Sequence, residues 1–256
     1  GITTLLIINS IYLCMWVELN ILFMLKVLLP PLIYMLILFL SAPYKTLTLK
    51  KSLLYFIGGI LSINFVQMYF ALIDIKTLSP FYEYFFSVAP REEICKFLAF
   101  LGISQMFRKE KLHPVATMYY MGIVGLGFAM FENLYYGARY GEMVLVSRAF
   151  TSTLGHLTFS MFLGYWLGLS QIDQGDYGNR SLFGFYMYKF KKLRRYTYTL
   201  IGLICASVFH GLWNYNLSTN DESSMSIMIL MVVLGLITCK FASTDLYNHH
   251  KKSLKG

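Results

Sequence analysis

The sequence predicts an all-α fold: a polytopic membrane bundle of about eight transmembrane helices with both termini in the cytoplasm. Three observations predict it. Of 256 residues, 57% are apolar and only 14% are charged, against about 25% charged in soluble domains. Several apolar runs reach the ~20 helical residues needed to cross ~30 Å of hydrocarbon. Those runs are apolar nearly all round, the pattern of helices solvated by lipid.

The expected spans are 2–24, 27–42, 52–73, 81–106, 114–136, 149–171, 196–217 and 224–240. The first is longer than a signal-peptide core and lacks a small-x-small cleavage site. The second is short and opens on Pro30-Pro31, a position tolerated at a helix N-terminus; it either crosses or is half-inserted. The chain reads as a single integral membrane domain over 1–256, with no internal repeat.

Basic residues give the orientation. Connections 43–51, 107–113 and 172–195, together with the C-terminal tail, hold sixteen of the twenty-two Lys and Arg. The alternate connections hold only Lys26, Lys76, Arg139 and Arg148. Because Lys and Arg are retained on the cytoplasmic side, both termini fall inside. The net charge of +9 then reflects topology and contact with anionic lipid. No basic cluster is interleaved with stacking aromatics, so a nucleic-acid partner is excluded as a reading. Cys14, Cys95, Cys205 and Cys239 form no C-x-x-C pair and indicate neither a disulfide framework nor a zinc knuckle. The long connection 172–195 carries an aromatic middle, Phe183 to Tyr188, suited to the membrane interface.

Ionisable groups inside a span cost about 2.5–3.5 kcal/mol each on insertion scales and persist where they face a bundle interior or cavity. This chain has a set of them: Arg91, Glu92, Glu93 and Lys96; Glu132 with Asn133; His156; His210 with Asn214. Each has a bland reading. Glu92 and Lys96 could be an ordinary i,i+4 pair, a lone histidine an interhelical hydrogen bond, and Glu132 an interfacial residue. Tyr135, Tyr136 and Tyr140 suit an aromatic belt. The predicted topology weighs against coincidence. With Pro90 kinking or restarting the fourth span, Glu92 and Glu93 fall towards its outer end, and Glu132, His156 and His210 fall within about 10 Å of the same surface at 1.5 Å per residue. Independent hydrogen bonds have no reason to share one level, whereas a single site built from four helices would. Such a site could activate water through a metal held by His and Glu. It could equally use a carboxylate as general base, with His and Asn stabilising an oxyanion. The residues alone leave both routes open.

Four blocks resemble the PrsW family of intramembrane proteases, distant relatives of the CAAX-processing membrane proteases. They are Pro90-Arg91-Glu92-Glu93-Ile94-Cys95-Lys96, which fits a Glu-Glu-x-x-Lys pattern; Phe128 to Tyr136 around Glu132-Asn133; Arg148 leading to Gly155-His156; and His210-Gly211-Leu212-Trp213-Asn214. They occur in the family's order over 90–214. The resemblance implies a catalytic core at about 81–217 and cleavage of a membrane-tethered protein near the extracytoplasmic face. In some bacteria that substrate is an anti-sigma factor. It also implies a bacterial cell (inner) membrane location.

The catalytic residues it implies are Glu92, Glu93, Glu132, His156 and His210, with Asn214 matched from the CAAX relatives. In the expected division of roles, Glu92 or Glu93 activates water. Glu132 and His156 bind a metal or position that water, and His210 and Asn214 complete the ligand set or form the oxyanion hole. Lys96, one turn from Glu92, holds the carboxylate pair, and Arg148 neutralises a second carboxylate. If zinc is used, its expected ligands are Glu132, His156 and His210. Three rivals stand beside this reading: an ion- or proton-coupled transporter, whose sites tend to lie at the midplane between inverted repeats; a non-catalytic receptor or scaffold; and a CAAX-type processing protease, which would need a cytoplasmic site.

Overall fold

The computed structural model describes residues 21–43, 46–72, 79–110, 112–172, 191–219 and 224–254. Among these the regular structure is entirely helical. The helices are α1 (Ile21–Ser41), α2 (Leu49–Leu72), α3 (Pro80 through Met106), α4 (Pro114–Tyr140), α5 (Met143–Phe150), α6 (Ser152–Gln171), α7 (Lys191–Ser218) and α8 (Ser224–Ser253). Five of them, α1, α2, α4, α7 and α8, have the length and apolarity to cross a bilayer. The chain is therefore a multi-pass membrane protein.

The two long helices that miss that standard, α3 and α6, have a physical reason to do so. They carry Arg91, Glu92, Glu93, Lys96 and His156, all buried inside the bundle. A helix shielded by its neighbours need not be apolar all round, because lipid does not solvate its polar face. The outer helices show the complement. Ile21, Leu29, Ile33, Leu36 and Leu40 on α1, and Ile229, Leu230, Leu234 and Phe241 on α8, are exposed. In water such a surface would be an aggregation liability; in a bilayer it is the solvated face.

Helix α4 is the central post, with every residue from Pro114 to Ala129 buried. It starts where sequence chemistry says it should. His113 caps it, Nδ1 accepting from the Val115 N–H at 3.2 Å, Pro114 occupies the first turn, and Gly141 ends it at φ 88°. Helices α2 and α4 approach backbone to backbone. A Cβ on Gly59 would collide with the Val124 carbonyl, and one on Gly127 with the Phe56 carbonyl. This is the small-residue contact by which membrane helices pack without a hydrophobic driving force between them. Gly125 does the same for α6, bringing it against α4 beside the His156 carbonyl.

Several expected boundaries are corrected. Helix α1 runs unbroken through the predicted join at 25–26, so Lys26 lies in a helix and pairs with Glu142 at 2.7 Å, and Pro30 and Pro31 lie within the helix. Most of the expected span 2–24 is outside the described residues, as are Cys14 and 173–190 of the long connection. The fourth span does not restart at Pro90. A π-helical segment, Glu83–Val88, lies between Pro80–Tyr82 and Ala89–Met106, with the Ala89 N–H bonded to the Tyr84 carbonyl five residues back. Proline has no N–H and its ring crowds the carbonyl four residues earlier. A wider turn just upstream lets the helix continue past it. The sixth span is two helices, α5 and α6, parted at Thr151, and the last extends to Ser253.

Candidate active site

Helix α3 supplies Glu92, Glu93 and Lys96. The pair within it is not the i,i+4 pair the spacing suggested: Lys96 Nζ donates to Glu93 Oε1 at 2.7 Å, and both side chains are completely buried. A buried ion pair needs its remaining valences met, and here two histidines from other helices meet part of them, while Glu93 Oε2 is buried with no hydrogen-bond partner. His210 of α7 places Nδ1 2.8 Å from the same Glu93 oxygen. His156 of α6 places Nδ1 2.9 Å from Lys96 Nζ. The Phe128 ring closes the remaining side of the ammonium, its centroid 4.2 Å away.

The far edges of the two imidazoles meet the other two carboxylates. His156 Nε2 lies 2.8 Å from Glu132 Oε2, and His210 Nε2 lies 3.6 Å from Glu92 Oε2. Glu132 is held from behind by Arg148 Nη2 at 2.5 Å. Arg148 is itself fixed by donating from Nε to Asn133 Oδ1 at 2.8 Å and by lying over the Tyr136 ring at 4.0 Å. Asn133 in turn donates to Thr153 Oγ1 at 2.9 Å. The imidazoles stand 5.0 Å apart and nearly perpendicular, and Phe159 stacks on His210. Four helices and the short α5 thus converge on one network.

Glu92, Glu93, Glu132, His156, His210, Lys96 and Arg148 are brought together. Asn214 is not: it lies one turn beyond His210, half-buried, and no hydrogen bond of the network reaches it. Asn133, Tyr136, Thr153, Phe128 and Phe159 join the site without having been assigned a role in it. For Asn133 the signal was present, a carboxamide beside Glu132 inside an apolar span. The depth is also revised. Glu132 and His210 each lie eight residues, about 12 Å, before the ends of α4 and α7. Because α3 continues back to Pro80, Glu92 and Glu93 sit near the middle of their helix rather than near its outer end.

The donor set fits a metal ion. Ligand atoms of Glu92, His156 and His210 all lie within 4.8 Å of one another, and one carboxylate with two imidazoles is a ligand set of catalytic zinc. Glu92 Oε2 is buried with no hydrogen-bond partner. His210 carries a carboxylate on the nitrogen remote from the cluster, the outer support that metal-bound histidines have. Glu132, offered as a ligand by the sequence, is engaged by Arg148 and His156; Glu92 takes its place in the compact trio.

The chain is similar to known proteins over most of its length. Residues 48–238 match the sequence profile described as PrsW family intramembrane metalloprotease. Protease PrsW of Oceanobacillus iheyensis is 25% identical over 178 residues, covering 70% of this chain and 74% of that protein. Protease PrsW of Shouchella clausii is 27% identical over 115 residues, 44% of this chain and 45% of that protein. No solved structure matches. The matched region holds every residue of the buried network, and the chain belongs to the PrsW family: it is a membrane-embedded protease.

Proposed function

We propose that this chain is an endopeptidase that cleaves a single-pass membrane protein close to the extracytoplasmic face of a bacterial cell membrane, with an anti-sigma factor as one substrate class. In this reading α3 and α6 also cross the bilayer, and both termini are cytoplasmic. The observation that carries it is the convergence of Glu92, Glu93, Glu132, His156 and His210 from four helices into one buried, hydrogen-bonded cluster. Independent structural polar groups would not need to meet.

The chemistry follows from which atoms are committed. Glu93 Oε1 is taken by Lys96 and His210, so Glu93 serves as the anchor of the site. Glu92 Oε2 faces the bare edge of His210 across 3.6 Å, close enough for one water to hydrogen-bond to both from the side. Glu92 then takes the water's proton at Oε2 as the oxygen attacks the scissile carbonyl. The Arg148 guanidinium is the cation on the Glu132 side that would stabilise charge on the carbonyl oxygen, and the proton passes from Glu92 to the leaving amine. If a metal is bound, Glu92, His156 and His210 would hold it, and zinc there would supply a Lewis acid that lowers the pKa of bound water towards ~7.

The test is cleavage of a panel of single-pass reporters, differing in their extracytoplasmic juxtamembrane segment, by the purified chain in liposomes. Cleavage that a chelator abolishes and zinc restores supports the metal route. Cleavage indifferent to chelators supports Glu92 as a metal-free base. Proton- or cation-linked uptake without cleavage would replace the protease reading by a carrier.

A further inference from the structure

We infer that the buried Glu93–Lys96 pair gives the two active-site histidines opposite tautomers, and that Lys96 is the positioning residue for His156. The inference rests on the hydrolytic reading above for its meaning, but not for its geometry.

A lysine ammonium has three donors and no acceptor, and an ionised carboxylate accepts only. Lys96 Nζ lies 2.9 Å from His156 Nδ1, so that nitrogen must present its lone pair, and the single proton of a neutral imidazole goes to Nε2. There it donates to Glu132 Oε2 at 2.8 Å. Glu93 Oε1 lies 2.8 Å from His210 Nδ1, so that nitrogen carries the proton, and in a neutral ring Nε2 presents its lone pair towards Glu92. One ion pair, lying behind both rings, thereby writes N–H on one inward edge and a lone pair on the other.

The two histidines then differ in work. His210 Nε2 is the acceptor or ligand atom of the site. His156 Nε2 is a donor, turned to Glu132. A metal would meet Glu92 and His210 directly, and His156 would join the ligand set only if Lys96 left its Nδ1.

The test is nitrogen-15 NMR of the histidine-labelled full chain in detergent, with no metal added. The chain has five histidines, so single substitutions assign the signals. The expected result is an Nε2–H signature for His156 and an Nδ1–H signature for His210. In Lys96→Met the His156 signature should be lost while that of His210 persists; Lys96→Arg should restore it. Wild type alone is decisive if Lys96→Met fails to fold. An Nδ1–H form at His156, or the same tautomer at both, would overturn the inference. The protease reading fails separately: opposite tautomers in a chain that cleaves no reporter would uphold the inference and sink the hydrolase.

Discussion

Two of the lysine–glutamate pairs among the described residues are of similar length but lie in very different surroundings. Lys96–Glu93 is 2.7 Å long with both side chains at 0% exposure. Lys51–Glu110 is 2.5 Å long with exposures of 13% and 63%. Distance does not separate them; what the partners do besides pairing does. Glu93 and Lys96 each also hold a histidine, so their desolvation is offset by a network that orients catalytic groups. Glu110 keeps most of its hydration, and the pair gains little from contact. Ion pairs in this protein therefore matter where they are buried and shared.

The largest expected effect lies on the shared side. Glu92→Gln keeps the shape of a carboxylate that has no hydrogen-bond partner on Oε2. It should leave melting in detergent nearly unchanged and reduce cleavage by about 10²–10⁴-fold. Full activity in that variant would remove Glu92 from the chemistry. Lys96→Met should lower stability by about 3–5 kcal/mol, because it strips a buried carboxylate of its cation; a melting temperature like that of wild type would mean the pair is not the anchor described here. Gly127→Ala forces a methyl into the Phe56 carbonyl and should cost about 1–3 kcal/mol, read from the same melts.

The exposed end should respond weakly. His113 lies outside the membrane-spanning part of α4. Burial and the neighbouring His250 ring lower its pKa below the ordinary 6.5. The fold thus favours the neutral ring, whose Nδ1 caps α4. That contribution is complete above pH 6.5 and is lost as pH falls through the lower folded-state value. A cap is worth about 1 kcal/mol. His113→Asn, a cap that does not titrate, should flatten the fall in melting temperature between about pH 7 and 5; an unchanged slope would place the titrating group elsewhere. Smallest of all, Lys51→Met should change stability by less than about 1 kcal/mol, and a larger loss would erase the contrast between the two pairs.

Much of the site was legible in the sequence because polar groups inside apolar spans are few and costly. Each of Glu92, Glu93, Glu132, His156 and His210 announces itself by position, and helical rise converts position into depth. Pairing was less legible. On α3, Lys96 can reach either Glu92 or Glu93, three or four residues back, and only the histidines arriving from α6 and α7 decide the choice. Asn214 had the right residue type and shares a helix face with His210, but it lies one turn further along α7, where no hydrogen bond of the network reaches it. The π segment before Pro90 and the break at Thr151 were invisible for a related reason. Both are local answers to backbone geometry, made where packing required the chain to continue or turn. Helices α3 and α6 look less like membrane spans than the others because they carry the site.

The account is tested most directly by the mass of the products. The purified chain is incubated with the reporter panel in liposomes in ¹⁸O-labelled water, alongside its Glu92→Gln variant. The prediction is one new C-terminus per cleaved reporter, placed near the extracytoplasmic face, labelled with ¹⁸O and absent with the variant. Unlabelled or equal products from both proteins, or a cut on the cytoplasmic side, would contradict it.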